Sequence, residues 1–319
     1  MKRIITIPVW LLLLFTVWTA CAKSPSEAAF QTIFRTQHTE IILNLPENTE
    51  FAYENGTAWI TVPSGSRVTG SVDLSPLSSL DGFEQIVFAS DVRIETLILP
   101  TETKRAEIQT YHEPIELLDA SGCASLTRLS LMGPSEKVRL PESLGTLVLS
   151  RPIDQGIAAY DLASFEGCRR LGTVVFNDPI DLTRLGSLAS SLDTVCISRS
   201  RTDAKWDLSP LVSISFETLR IGNTITDEEL NQLRGASFTT LQLSDEGIAS
   251  IAFTDHLPKL KNLLLEVKSV QTPDILAFCS GPDPCPPELL EELDTSIPAY
   301  ELKAFAAHGS IYLFSDSRR

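Results

Sequence analysis

Six cysteines and four histidines are the side chains in this 319-residue chain whose types could do covalent or metal chemistry. A thiolate is a nucleophile, a thiol pair bridges in an oxidising compartment, and clustered Cys and His hold zinc. Spacing decides among these. Cys279 and Cys285 lie in the turn-rich "CSGPDPCPP", where a disulfide between them is expected if the compartment is oxidising. A metal is the poorer alternative, because no CxxC or HExxH accompanies them. His38, His112, His256 and His308 share no motif and read as incidental surface or cap residues. The sequence also lacks GxSxG, a P-loop and a GxGxxG placed after a strand. No catalytic, cofactor-binding or metal site is expected, and the protein is read as not an enzyme.

Cys21 stands apart from the other five. Met1-Lys2-Arg3 is a basic start, Ile4 to Trp18 is an almost unbroken apolar run, and Thr19-Ala20-Cys21-Ala22 supplies small residues for a peptidase. The run is too short and too close to that cut site for a membrane span. "WTAC" resembles a bacterial lipobox, with Trp18 where Leu is usual; the resemblance implies Cys21 as the lipidated first residue of the mature protein. Cleavage after Ala22 under the A-x-A rule is the alternative. The lipobox reading is favoured, because the polar "AKSPSE" that follows suits a tether. It implies a protein of the bacterial cell envelope, lipid-anchored to a membrane, with the outer membrane favoured on its surface or periplasmic side. A soluble periplasmic or secreted protein is the lesser possibility. Removing residues 1–20 takes out Lys2 and Arg3 and no acid, so the formal charge moves from −15 to −17. Such a surface repels nucleic acid and anionic headgroups, leaving the lipid as the expected membrane contact.

The elements that would position any site emerge from a repeat. An apolar-x-x-apolar-x-apolar shape begins at Phe83, Ile94, Leu126, Leu144, Leu171, Leu192, Phe216, Phe238 and Leu260, and the last five intervals are 27, 21, 24, 22 and 22 residues. Its final alternation, as in Leu219 and Ile221, marks a short strand with one buried face. One such strand cannot bury that face alone, whereas stacked copies form a parallel sheet over a continuous core. Variable intervals then map to return loops.

Over about residues 81–266 the sequence resembles leucine-rich repeat proteins, and two repeats resemble the BspA-like bacterial subfamily. The residues that carry this are "ASFEGCRRLGTVVF", with Phe165, Cys168, Leu171, Val174 and Phe176 in step, and "ASGCASLTRLSL", with Cys123, Leu126, Leu129 and Leu131. The resemblance implies an α/β solenoid with a parallel β-sheet on its concave face, and binding rather than catalysis, often in adhesion. Cys123 and Cys168 occupy equivalent positions two strands apart, about 9–10 Å, too far for a disulfide, and are expected as buried thiols.

The residue before each central apolar position is Thr146, Thr173, Thr194, Thr218 and Thr240 in successive repeats, then Asn262. A polar ladder on the open face is expected from this. Two residues further on, Val148, Val175, Cys196, Arg220, Gln242 and Leu264 should share that face, the first three as a small apolar stripe. These eleven positions (Asn262 aside) form the candidate face for a protein partner.

The domain reading is a signal peptide over 1–20, a polar tether over 21–29, a β-rich N-terminal cap or small module over 30–80, repeats over 81–266 and a helical C-terminal cap over 267–319. "TEFAYENGTAWITV" predicts a hairpin turning at Asn55-Gly56. "TDEELNQL" predicts a helix capped by Thr226, "PPELLEEL" and "PAYELKAFAAHG" predict two more, and "SIYLF" a last strand. The function expected is partner recognition through the sheet; the alternative is a periplasmic structural or envelope-assembly lipoprotein with no external ligand.

Overall fold

The computed structural model describes residues 32–35, 40–66, 68, 70–133, 135–150, 165, 167–183, 185–188, 192–199, 205–222, 225–244, 248–267, 283–293 and 295–315. The signal-peptide, tether and Cys21 readings, and Cys279 of the expected disulfide, fall outside them. Eighteen strands are formed among the described residues. The first nine are β1 (Thr32–Arg35), β2 (Glu40–Leu43), β3 (Glu50–Glu54), β4 (Thr57–Val62), β5 (Ser71–Asp73), β6 (Gln85–Ser90), β7 (Ile94–Ile98), β8 (Arg105–Thr110) and β9 (Ile115–Asp119). The others are β10 (Arg128–Met132), β11 (Ser135–Arg139), β12 (Thr146–Ser150), β13 (Thr173–Phe176), β14 (Thr194–Ile197), β15 (Thr218–Ile221), β16 (Thr240–Ser244), β17 (Asn262–Val267) and β18 (Ser310–Ser315).

Twelve strands make one sheet in the order β18-β17-β16-β15-β14-β13-β12-β10-β8-β6-β4-β3, parallel throughout except for the β3–β4 hairpin at its end. Sequence order is spatial order, as a solenoid requires. Each coil buries alternate residues of its strand: Leu147 and Leu149, Val174 and Phe176, Val195 and Ile197, Leu219 and Ile221, and so on to Ile311 and Leu313. The coils are laced where their strands begin. The Thr173, Thr194, Thr218 and Thr240 amides donate to Gly145, Gly172, Asp193 and Glu217 carbonyls of the preceding coil at 3.1, 2.9, 2.9 and 3.0 Å.

The β3–β4 hairpin turns at Asn55 (φ 50°) and Gly56 (φ 76°), the left-handed pair that a two-residue turn needs. Gly56 is doubly constrained, because a Cβ there would stand 2.6 Å from the Gly82 carbonyl oxygen. The hairpin is not set apart from the repeats: β4 pairs with β6 in register Ala58↔Ile86 and Ile60↔Phe88, and so supplies the first parallel strand.

The Ile94 shape corrects the repeat count. It lies in β7, part of a second, four-stranded parallel sheet in the order β11-β9-β7-β5, with Val72, Leu97, Leu118 and Val138 in register. Phe83 and Ile94 therefore mark two strands of one coil, not two coils. The sheet row between Phe83 and Leu126 is β8, hidden because Thr103 fills the first apolar place. Thr103 is fully buried, and its hydroxyl donates to Pro100 O at 2.7 Å.

Return segments obey a different period. Leu74, Leu77, Leu80 and Phe83 are each buried, and each amide after the first donates to the carbonyl three residues before it at 3.0–3.2 Å. The same steps link Ala120, Cys123 and Leu126, then Phe165, Cys168 and Leu171, then Ile251, Thr254, Leu257 and Leu260. This is the three-residue turn of a 3₁₀ path, which brings every third side chain inward. The x-x spacing of the cysteine-bearing motif is that turn, and the x spacing after it is the strand.

An aspartate opens several of these turns. Asp73, Asp119, Asp181 and Asp207 each accept, through Oδ1, the amide two residues on at 2.9–3.1 Å. "DLSPL" occurs twice, at 73–77 and 207–211, and folds alike in both places. This is the Asx-turn preference of aspartate, repeated from coil to coil.

Among the described residues the later coils return through helical turns. α1 (Asp227–Leu230) begins in a capping box between Thr226 and Glu229. α2 (Ala299–Ala306) starts after Pro298, and its Glu301 carboxylate takes the Ile251 amide at 2.6 Å and the Ser250 hydroxyl at 2.8 Å from the coil before. "PELLE" (Pro287–Glu291) is a 3₁₀ turn, and "SIYLF" enters β18 beside β17.

Candidate partner-binding face

The outward rows of the large sheet stack as the register dictates. Thr146, Thr173, Thr194, Thr218, Thr240, Asn262 and Ser310 are successive Cα partners, as are Val148, Val175, Cys196, Arg220, Gln242, Leu264 and Tyr312. All eleven candidate residues therefore share one face. Their exposure differs. The five threonines, Val175, Cys196, Gln242 and Leu264 are half-buried, and Arg220 is exposed. Val148 is a correction: it holds its place in the row but is only 5% exposed, so it cannot offer its side chain to a partner.

Polar side chains tie the rows across strands. Asn262 Nδ2 donates to Thr240 Oγ1 at 3.3 Å. Past the strand ends, Asn177 Nδ2 donates to Ser150 Oγ at 2.9 Å, while Ser198 Oγ donates to Asn177 Oδ1 at 3.3 Å. These bonds restrain the side chains they join across neighbouring strands.

The thiols are not arranged for attack. Burial pushes Cys123 and Cys168 up to about 11, and neither is bridged. Cys123 Sγ donates to Pro100 O at 3.0 Å, so it also satisfies a turn carbonyl. Burial raises the Cys196 thiol as well, with the Arg220 charge on the next strand pulling the other way. Thiols in this state are poor nucleophiles at neutral pH. Among the described residues no group of three or more His, Cys, Asp and Glu is placed to hold a metal ion.

The sheet extends the face beyond the predicted residues. Thr57, Gln85, Arg105 and Arg128 continue the threonine row toward the N-terminal end, and Trp59, Val87, Glu107 and Ser130 continue the next. Trp59 is 39% exposed. Tyr111 donates to Gln109 Oε1 at 3.0 Å, and Gln109 Nε2 to Glu107 Oε1 at 2.5 Å. A pocket of about 260 Å³ opens where these strands begin, lined by Asn55, Gln85, Lys104, Arg105, Ser125 and Thr127 among others. The signal that could have found this half was the alternation in "TAWITV" and "RAEIQT"; Asn55 and Thr103 broke the shape ahead of each.

No family model matches the protein, and no curated protein matches it. Among solved structures, an internalin from Listeria monocytogenes is similar at 19% identity and a TM-score of 0.32, over 60% of this chain. The match spans 56% of that protein's own length.

Proposed function

We propose that this is an exported binding protein that recognises a protein partner, in the manner of an adhesin, through the open face of its twelve-stranded sheet. The observation that carries the reading is the stacked outward rows, which run unbroken from β4 to β18 and consist mainly of neutral side chains, with charge only at Arg105, Arg128, Glu107 and Arg220. A continuous sheet gives such rows a rigid backing, and half-buried threonines present both a methyl and a hydroxyl. Protein interfaces of this kind join an apolar centre to a polar rim. Val175 and Cys196 would supply the centre, with Arg220 and Gln242 at the rim.

The proposal includes export by the N-terminal apolar run and attachment by lipid at Cys21, supported by the composition of residues 1–29. Among the described residues no helix is long and apolar enough to cross a membrane. A net charge of −15 argues for a partner met through specific contacts, since a nucleic acid would be repelled. The test is the double variant Val175→Glu with Arg220→Glu, measured against a partner isolated by crosslinking. Its affinity should fall at least tenfold with an unchanged far-UV circular dichroism spectrum; unaltered affinity would overturn this placement.

A further inference from the structure

Arg105 and Arg128 are direct Cα partners on adjacent parallel strands and point to the same open face. Adjacent strands lie about 4.8 Å apart, and like charges facing each other across a strand pair are destabilising. Both side chains are exposed, and among the described residues neither guanidinium has a carboxylate within 4 Å. The nearby acids are engaged elsewhere. Glu84 pairs with Lys104 at 2.5 Å and feels Arg105 only as a weaker, more distant charge. Glu107 receives the Gln109 amide at 2.5 Å. In an acidic protein, two arginines held side by side without a paired carboxylate are an arrangement that folding alone does not favour.

The pocket begins beside them. Arg105 brings positive charge to its wall, Lys104 and Glu84 stand there as a mutual ion pair, and Asn55, Gln85 and Ser125 bring neutral groups able to donate. Its volume of about 260 Å³ lies below the range of about 300–1,000 Å³ that houses a drug-sized molecule, and suits a single charged group. The Arg105 guanidinium on the pocket wall, with Arg128 beside it on the next strand, offers planar donor forks that match the geometry of a carboxylate.

We propose that this pocket and the Arg105–Arg128 pair form a subsite for one carboxylate of the protein partner, donated by an acidic side chain or by the partner's own C-terminus. The inference rests on the reading of the open face as a protein-recognition surface and names the chemistry of its N-terminal half. The partner's carboxylate neutralises the facing arginines on docking, so the repulsion present in the free protein is relieved in the complex.

The experiment uses the purified full-length protein and three short peptides. One is capped at both ends and carries a single glutamate. The second is its capped glutamine counterpart, and the third is that glutamine peptide with a free C-terminal carboxylate. At low salt, calorimetric titration should give at least tenfold tighter binding for one or both carboxylate-bearing peptides than for the capped glutamine peptide. Which of the two binds identifies the source of the carboxylate. The Arg105→Gln and Arg128→Gln double variant should abolish the difference, and its thermal midpoint should equal or exceed that of the parent. Equal binding of all three peptides, no saturable binding of any, an advantage that survives in the double variant, or a lowered midpoint would overturn the proposal. A negative result accompanied by partner crosslinks from Val175 would remove this subsite and leave the face; loss of both would remove the face as well.

Discussion

Glu229→Gln should cost about 3–5 kcal/mol of folding stability, the range for breaking one side of a buried ion pair. Glu229 is 1% exposed and sits beside the Arg199 guanidinium, itself 4% exposed. Its Oε1 accepts the Trp206 amide at 2.6 Å, and its Oε2 accepts the Thr226 amide and hydroxyl at 2.9 Å each. One carboxylate thus binds the end of one coil to the return segment of the next. Glutamine matches the shape but not the bonding. Its NH₂ must face either the Thr226 donors or the Trp206 and Arg199 donors, and the buried Arg199–Glu229 ion pair is lost. Urea unfolding followed by tryptophan fluorescence would measure the loss, since Trp206 is 2% exposed and lies at this junction. pH supplies a second axis. Burial raises the Glu229 carboxyl, but the hydrogen bonds from Thr226 and Trp206 and the Arg199 charge outweigh it, so the net shift is downward. The folded protein therefore binds fewer protons here than the unfolded polypeptide. Its stabilisation is complete above the unfolded value of about 4.3 and is lost as pH falls through the lower folded value. The gap between parent and variant should be full at pH 7 and shrink below about pH 4. A loss under about 1 kcal/mol, or a gap that does not change between pH 7 and pH 3, would refute the assignment.

Gly133 adopts φ 102°, and a Cβ there would lie 2.2 Å from both oxygens of Thr110, so Gly133→Ala should lower stability by about 1–3 kcal/mol in the same assay. Leu219→Ala should cost about 2–5 kcal/mol by leaving a cavity between coils, whereas Thr218→Ala on the open face should stay within about 0.5 kcal/mol. A thiol reagent applied to the native protein at pH 7.5 should leave Cys123 and Cys168 unlabelled in peptide mass maps until denaturant is added; rapid native labelling would contradict their burial. For the export proposal, protease added to intact cells should remove the protein if the sheet faces outward, and protection until lysis would place it inside the envelope.

The strand rows of the later coils were legible because a parallel strand buried on one face writes an alternation that survives in any loop context. Thr173, Thr194 and Thr218 were placed in register from spacing alone, and β13, β14 and β15 align them so. The Ile94 assignment failed for a physical reason. Strands on either side of a coil bury one face against the same core, so "IETLIL" and "FEQIVF" look alike and nothing local says which sheet receives them. The Thr103 row failed because a hydroxyl bonded to a turn carbonyl fills an apolar site. The return turns were hidden by their period of three, which neither the strand nor the helix template detects, although the recurring aspartates at 73, 119, 181 and 207 carried the signal. Val148 was read correctly for direction but not for cover, since alternation fixes where a side chain points and not what lies over it. The facing arginines could not be paired before β8 was known to lie beside β10.

Site-specific photo-crosslinking would test the central claim most directly. A benzophenone amino acid placed at Val175, on the open face, would be compared with one at Glu95, exposed on the second sheet, under identical expression and illumination. The account predicts a discrete protein adduct from position 175 and none from position 95. Equal adducts from both positions, or none from position 175, would contradict the assignment of the open face as the recognition surface.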